Sequence, residues 1–229
     1  MNRPFIKAGY IGIILVLTSV VLMSVNPVKA VRLPEGFFTP VVAFEFIRTD
    51  AEVYDLFGSE VNDGRDRFVA GMRLGTYVDF FYMVVYTVFL LLFSGLCRRI
   101  TGSGWFLISG IIAWCVFFSD FGENMQLLSI MSKLQSGDFS NELAMLDLLT
   151  WAKWGGLSAF FISLIPFLRN SGRFGRVISV FSLISALTGA AAFVNRSFLN
   201  EIYVITVVLI FLMLIVFSFI YTAGELIEK

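Results

Sequence analysis

Six stretches of this chain are long and apolar enough to cross a bilayer, and they constrain the fold more than any motif does. They run over 8–25, 76–96, 105–125, 151–168, 177–194 and 202–222. A membrane helix needs about 20 mostly apolar residues. In hydrocarbon, only a helix or a closed barrel satisfies every backbone N–H and C=O. The expected fold class is therefore all-α: a polytopic membrane helix bundle of six transmembrane helices in a single membrane domain, 1–229. Composition agrees, since 58% hydrophobic residues, 15% charged residues and a mean hydropathy of +0.84 lie outside the usual range of soluble domains.

Charge placement gives an orientation. Arg3 and Lys7 precede the first span, Arg98 and Arg99 lie between the second and third, and Arg169, Arg173 and Arg176 lie between the fourth and fifth. All fall on one side, so the positive-inside rule predicts both termini in the cytoplasm. The first span also has features of a signal peptide, with Val28-Lys29-Ala30 as a tolerable cleavage site. Its apolar core, 8–25, is longer than a usual signal, which favours an uncleaved anchor; cleavage would leave five spans. The Lys+Arg and Asp+Glu totals balance at 17 each, so nothing suggests nucleic acid as a partner. With no histidine in the chain, the commonest metal and haem ligand is missing and no cofactor is expected. Cys97 and Cys115 read as apolar packing residues.

Residues 26–75 form the largest piece between spans and are expected to be an extracytoplasmic helical segment. Thr39-Pro40 has the order of a helix start, and Val41, Val42, Phe44, Phe46 and Ile47 are too apolar for a free surface helix. Thr49-Asp50-Ala51-Glu52 fits a capping box, with Gly58 as a stop. Two short amphipathic helices joined near Arg48, covering the bundle, follow from this. A third short amphipathic helix is expected over 140–149, leading into the fourth span. The second span is expected to begin as a helix ahead of the lipid.

Against this apolar background, ionisable residues stand out. A charge at the bilayer centre costs roughly 2.5–3.5 kcal/mol, so an acid on a span suggests a partner, a wet cavity or a function. Asp120, Glu123 and Asn124 share one helix face, as do Asp79, Tyr82 and Tyr86. Depth counting puts Asp120 in the outer third of the membrane, with Asp79 and Lys153 about one turn in and Asn195 and Arg196 closing the fifth span. Lys153 is the expected counter-ion for Asp120 or Glu123. Two readings stand side by side: polar glue between helices, or a ligand- or ion-binding site made of Asp79, Tyr82, Tyr86, Asp120, Glu123, Asn124 and Lys153. Asp79 alone also suits an interfacial position facing water. Trp151 and Trp154 fit an interfacial aromatic belt. Ser182, Ala186, Ala190, Ser185 and Gly189 suggest close helix packing, within the chain or in a dimer. The last span reads as lipid-facing.

The segments Ala43-Phe44-Glu45-Phe46, Asp79-Phe-Phe-Tyr82-Met-Val-Val-Tyr86 and Asp120-Phe-Gly-Glu123-Asn124 resemble a pattern in uncharacterised bacterial polytopic inner-membrane proteins, which carry a D-x-x-E-N motif in a transmembrane helix. The resemblance spans roughly 40–155 and implies that Asp79, Asp120, Glu123 and Asn124 act as one unit. It also implies a multi-pass protein of the bacterial cytoplasmic membrane, and it carries no activity. The functional expectation is a non-enzymatic membrane protein whose polar pocket takes a lipidic or small-molecule ligand, or a membrane-protein partner or second copy. The alternatives are a small proton- or cation-coupled transporter and an intramembrane enzyme using carboxylates.

Overall fold

A computed structural model of the chain describes residues 3–222. Among the described residues there are eight helices and no strand. They are α1 (Ile6–Val25), α2 (Pro40–Glu45), α3 (Asp50–Phe57), α4 (Asp63–Thr101), α5 (Trp105–Ser132), α6 (Ser140–Leu168), α7 (Gly172–Val194) and α8 (Phe198–Ile220). All but α2 and α3 are long and apolar enough to span a membrane, so the chain is a polytopic membrane helix bundle. The two extreme ends of the chain, expected in the cytoplasm, lie outside the described residues.

Local chemistry sets the helix ends. Asn62 caps α4, its side-chain oxygen accepting from the backbone N–H of Gly64 and Arg65 at 3.0 Å each. Asp63 and Asp66 occupy the first turn of α4 and Arg98 and Arg99 the last, each sign matched to the helix dipole. Gly102 then stops the helix at φ +69°, a conformation that strains any residue with a Cβ. At 39 residues α4 is about 58 Å long. Since the hydrocarbon core is only about 30 Å thick, part of α4 stands outside it, as expected for the second span. The helix expected over 140–149 forms and leads without a break into the fourth span. No Gly or Pro interrupts 140–154, and α6 runs unbroken from Ser140.

The six long helices form a ring in which each packs on the next in sequence and α8 returns to α1. One end is plugged by aromatic rings: Phe5 lies 4.7 Å from Phe93, 5.5 Å from Phe167 and 5.3 Å from Tyr221. There α1 and α8 touch closely, because a Cβ on Gly9 would lie 2.7 Å from the Phe219 ring and one on Gly12 2.5 Å from Ile215. Toward its other end α1 leans on α4 instead. A Cβ on Gly71 would lie 3.3 Å from Pro27, and one on Gly75 would collide with the Asn26 side chain. The two closures leave a crevice between the C-terminal half of α1 and the N-terminal half of α8.

Ring closure changes the expectation for α8 and decides between the two for α7. Helix α8 is not merely lipid-facing: Tyr203, Val207, Ile210 and Leu214 are buried between its neighbours. On α7, Ser182, Ser185 and Gly189 are buried while Ala190 is exposed. A Cβ on Gly189 would lie 2.7 Å from the Tyr203 ring, so this close packing is made with α8 of the same chain. Cys97 is buried as expected, but Cys115 is exposed on the outer face of the ring and packs no core.

Candidate functional site

The long helices α4, α5 and α6 and the short helix α2 bring ionisable side chains together. On α6, Lys153 places its Nζ 2.6 Å from Glu123 Oε2, 3.2 Å from Glu45 Oε1 and 3.4 Å from Asp120 Oδ1. On α4, the Tyr86 hydroxyl donates to Asp120 Oδ2 at 2.6 Å, and Asp79 Oδ2 accepts from Asn124 Nδ2 at 2.7 Å. Tyr86, Asp120, Glu123, Asn124 and Lys153 are buried, whereas Asp79 and Tyr82 are half-buried. All seven residues singled out from the sequence therefore lie in or beside one cluster, and Lys153 is shared among acids rather than paired with one. Asp79 sits well inside α4, hydrogen-bonded to Asn124.

Sequence reasoning missed Glu45, which ends the short helix α2. Trp154 Nε1 donates to its Oε2 at 2.9 Å, and the Thr150 hydroxyl donates to its backbone carbonyl at 3.1 Å. Burial drives the Glu45 carboxyl above its ordinary range, and Lys153 only partly offsets this. One signal was available: Glu45 is the only acid in the apolar run Val41–Ile47. The interfacial belt is also corrected. Trp154 is buried against Glu45, with Lys153 Nζ 5.0 Å from its ring, and Trp151 packs on Phe46 at 5.1 Å and Phe193 at 5.0 Å. Both indoles hold α2 and its flanks against α6.

Arg196 and Asn195 do not join the cluster. Arg196 instead donates to the Phe46 carbonyl at 2.6 Å and to the Glu52 carboxylate, while Asn195 is exposed. Only half of the expected capping box forms on α3. The Thr49 hydroxyl accepts from Glu52 N, but the Glu52 carboxylate turns to Arg48 N and Arg196. Burial pushes the Glu52 carboxyl upward, but its hydrogen bonds outweigh burial and hold it below the ordinary value. Thr39 likewise precedes α2 without capping it, its hydroxyl lying 2.9 Å from both carboxylate oxygens of Glu201. Glu201 Oε1 also accepts from Phe38 N and Thr39 N at 2.8 Å each, which ties the start of α2 to the first turn of α8. Arg48 reaches Asp147 at 3.1 Å. The α2–α3 segment is thus held to α6, to α8 and to the α7–α8 turn.

The cluster forms one wall of a cavity of about 600 Å³. Asp79, Tyr82, Tyr86, Asp120, Lys153 and Glu45 supply its polar end. Mostly apolar side chains supply the rest, among them Leu15 and Leu22 of α1 and Val204, Val208, Phe211 and Ile215 of α8. Val16 and Met23 of α1 and Val208 and Leu212 of α8 line the cavity and are also exposed on the outside of the ring. The crevice between α1 and α8 is therefore a lateral opening, at membrane-spanning helices, onto a buried polar group. Among the described residues, no group of three or more His, Cys, Asp or Glu side chains could hold a metal ion; the carboxylates point at an ammonium instead.

Compared with protein-family models, with curated proteins and with solved structures, the chain matches none.

Proposed function

We propose that this protein binds an amphipathic ligand drawn from the surrounding bilayer through the crevice between α1 and α8. In this reading the ligand's apolar part lies against α1 and α8 and its polar head reaches the acid–lysine cluster. The observation that carries it is the lining of the cavity, polar at one end and mostly apolar along the walls, within a volume in the roughly 300–1,000 Å³ range of ligand pockets. Lateral access also weighs against coupled transport. A transported ion would need a second path, and the far end of the ring is filled by Phe5, Phe93, Phe167, Phe217 and Tyr221. We place the protein in the bacterial inner membrane with α2 and α3 on the outer side, in line with the charge pattern of its loops.

Native mass spectrometry of the full chain released from membranes in a mild detergent tests this. Ser19 lines the cavity from α1 and is small enough to leave it open. Wild type should retain a bound amphiphile that Ser19→Trp and Val204→Trp both lose. Equal retention by all three proteins would contradict the proposal.

A further inference from the structure

The chemistry of the polar end narrows the class of ligand. Glu45, Asp79, Asp120 and Glu123 present four carboxyl groups around the single ammonium of Lys153. Lys153 contacts three of these acids; Asp79 has no cation partner among the described residues, its one recorded bond being to the Asn124 amide. Asp79 nevertheless lines the cavity and is partly exposed to it. A second atom points the same way. Asp120 is 3% exposed and lines the cavity, and its Oδ1 has no hydrogen-bond donor, only Lys153 at 3.4 Å. An anionic head entering here would meet an excess of acid whose only nearby cation is already shared.

Beside Asp79 stand aromatic faces. Tyr82 and Tyr86 follow it at three and seven positions on the same face of α4, with ring centroids 5.7 Å apart, and both line the cavity. Phe211 faces them from α8, 6.2 Å from Tyr86. A carboxylate next to electron-rich rings is the arrangement that recognises an ammonium, through charge pairing and cation–π attraction. Resting on the ligand reading above, we infer that the head is cationic, a primary or quaternary ammonium carried on an aliphatic chain, with Asp79, Tyr82 and Tyr86 as its receptor. Lys153 keeps the other acids occupied and leaves Asp79 as the free anionic partner.

Binding of three probes with the same chain and different heads decides this: dodecyltrimethylammonium, dodecanoate and dodecanol, each added to the full-length protein in neutral maltoside micelles. Each is measured by displacement of a tritium-labelled alkyl chain that the protein retains on gel filtration, with Ser19→Trp as the blocked control. The ammonium should bind about tenfold or more tightly than either other probe. Asp79→Asn and Tyr82→Leu should each shrink that preference, and a normal unfolding transition shows that each variant is folded. Dodecanoate binding as tightly as the ammonium, or an undiminished preference in folded Asp79→Asn, would overturn the head assignment and leave the amphiphile reading standing. No displacement by any probe, or displacement equal in Ser19→Trp, would overturn both.

Discussion

At the scale of single residues, Lys153 decides whether the cluster holds together. Three carboxylates lie within 3.4 Å of its Nζ, so replacing it leaves buried negative charge with no cation beside it. Such a loss costs about 3 kcal/mol or more, well above the net value of an intact buried pair. Lys153→Met should therefore lower stability by about that amount in thermal unfolding, and adding Glu123→Gln to it should recover part of the loss. A Lys153→Met protein as stable as wild type would mean that the acids are not held by this ion pair. The residues of this cluster were legible unevenly. Asp79, Asp120, Glu123 and Lys153 stand out because each is a charge on an apolar helix. Glu201 did not stand out, since it lies just before a span where polar residues are ordinary, and Glu45, though the lone acid of an apolar run, lies on a segment that reads as a lid and not as a span. Their partners are more than a hundred residues away, at Lys153 and at Thr39, and no local spacing announces such contacts.

At the scale of elements, α2 and α3 are short, and a six-residue helix has almost no stability of its own. What fixes them is docking: Glu201 on the start of α2, Trp154 and Thr150 on Glu45, and Arg196 on Glu52. The Arg196–Glu52 contact makes docking pH-dependent. Because Glu52 is held below its ordinary value of 4.5, the undocked segment binds more protons than the docked one in the window just below that value. Docking stability then rises with pH through that window, is complete at neutral pH, and is lost as pH falls through the depressed value. Amide exchange over 46–57, corrected for its intrinsic rate, should accelerate on acidification in wild type. Arg196→Ala should already exchange faster at neutral pH, consistent with a loss of about 2 kcal/mol for charged hydrogen bonds. An Arg196→Ala protein with wild-type protection would remove this latch from the account. These elements were predicted from Thr39-Pro40 and from Thr49 to Gly58. The side-chain partners were not, because Thr39 and Glu52 serve distant residues in place of the local caps their positions suggest.

For the whole molecule, the six spans follow directly from length and hydropathy. Their order around the ring does not. Several of the long helices are apolar on every side, so no amphipathic face tells which surface turns inward or where two neighbours part. The crevice depends on small residues on two helices: Gly9 and Gly12 of α1 let it close on α8 at one end, and Gly71 and Gly75 of α4 let the chain at the other end of α1 lean on α4. Close approach of that kind is a property of pairs of helices and is not visible in either one alone. Whether this crevice admits a chain from the bilayer to the buried acids is open to direct measurement. A lipid analogue with a photoreactive group on its alkyl chain is incorporated with the protein into bilayer nanodiscs, and the adducts are mapped by mass spectrometry. Labelling should concentrate on cavity residues such as Leu15, Ser19, Val204 and Phe211 and disappear in Ser19→Trp. Labelling confined to the outer surface, at residues such as Leu17, Phe118 and Leu187, would contradict the account.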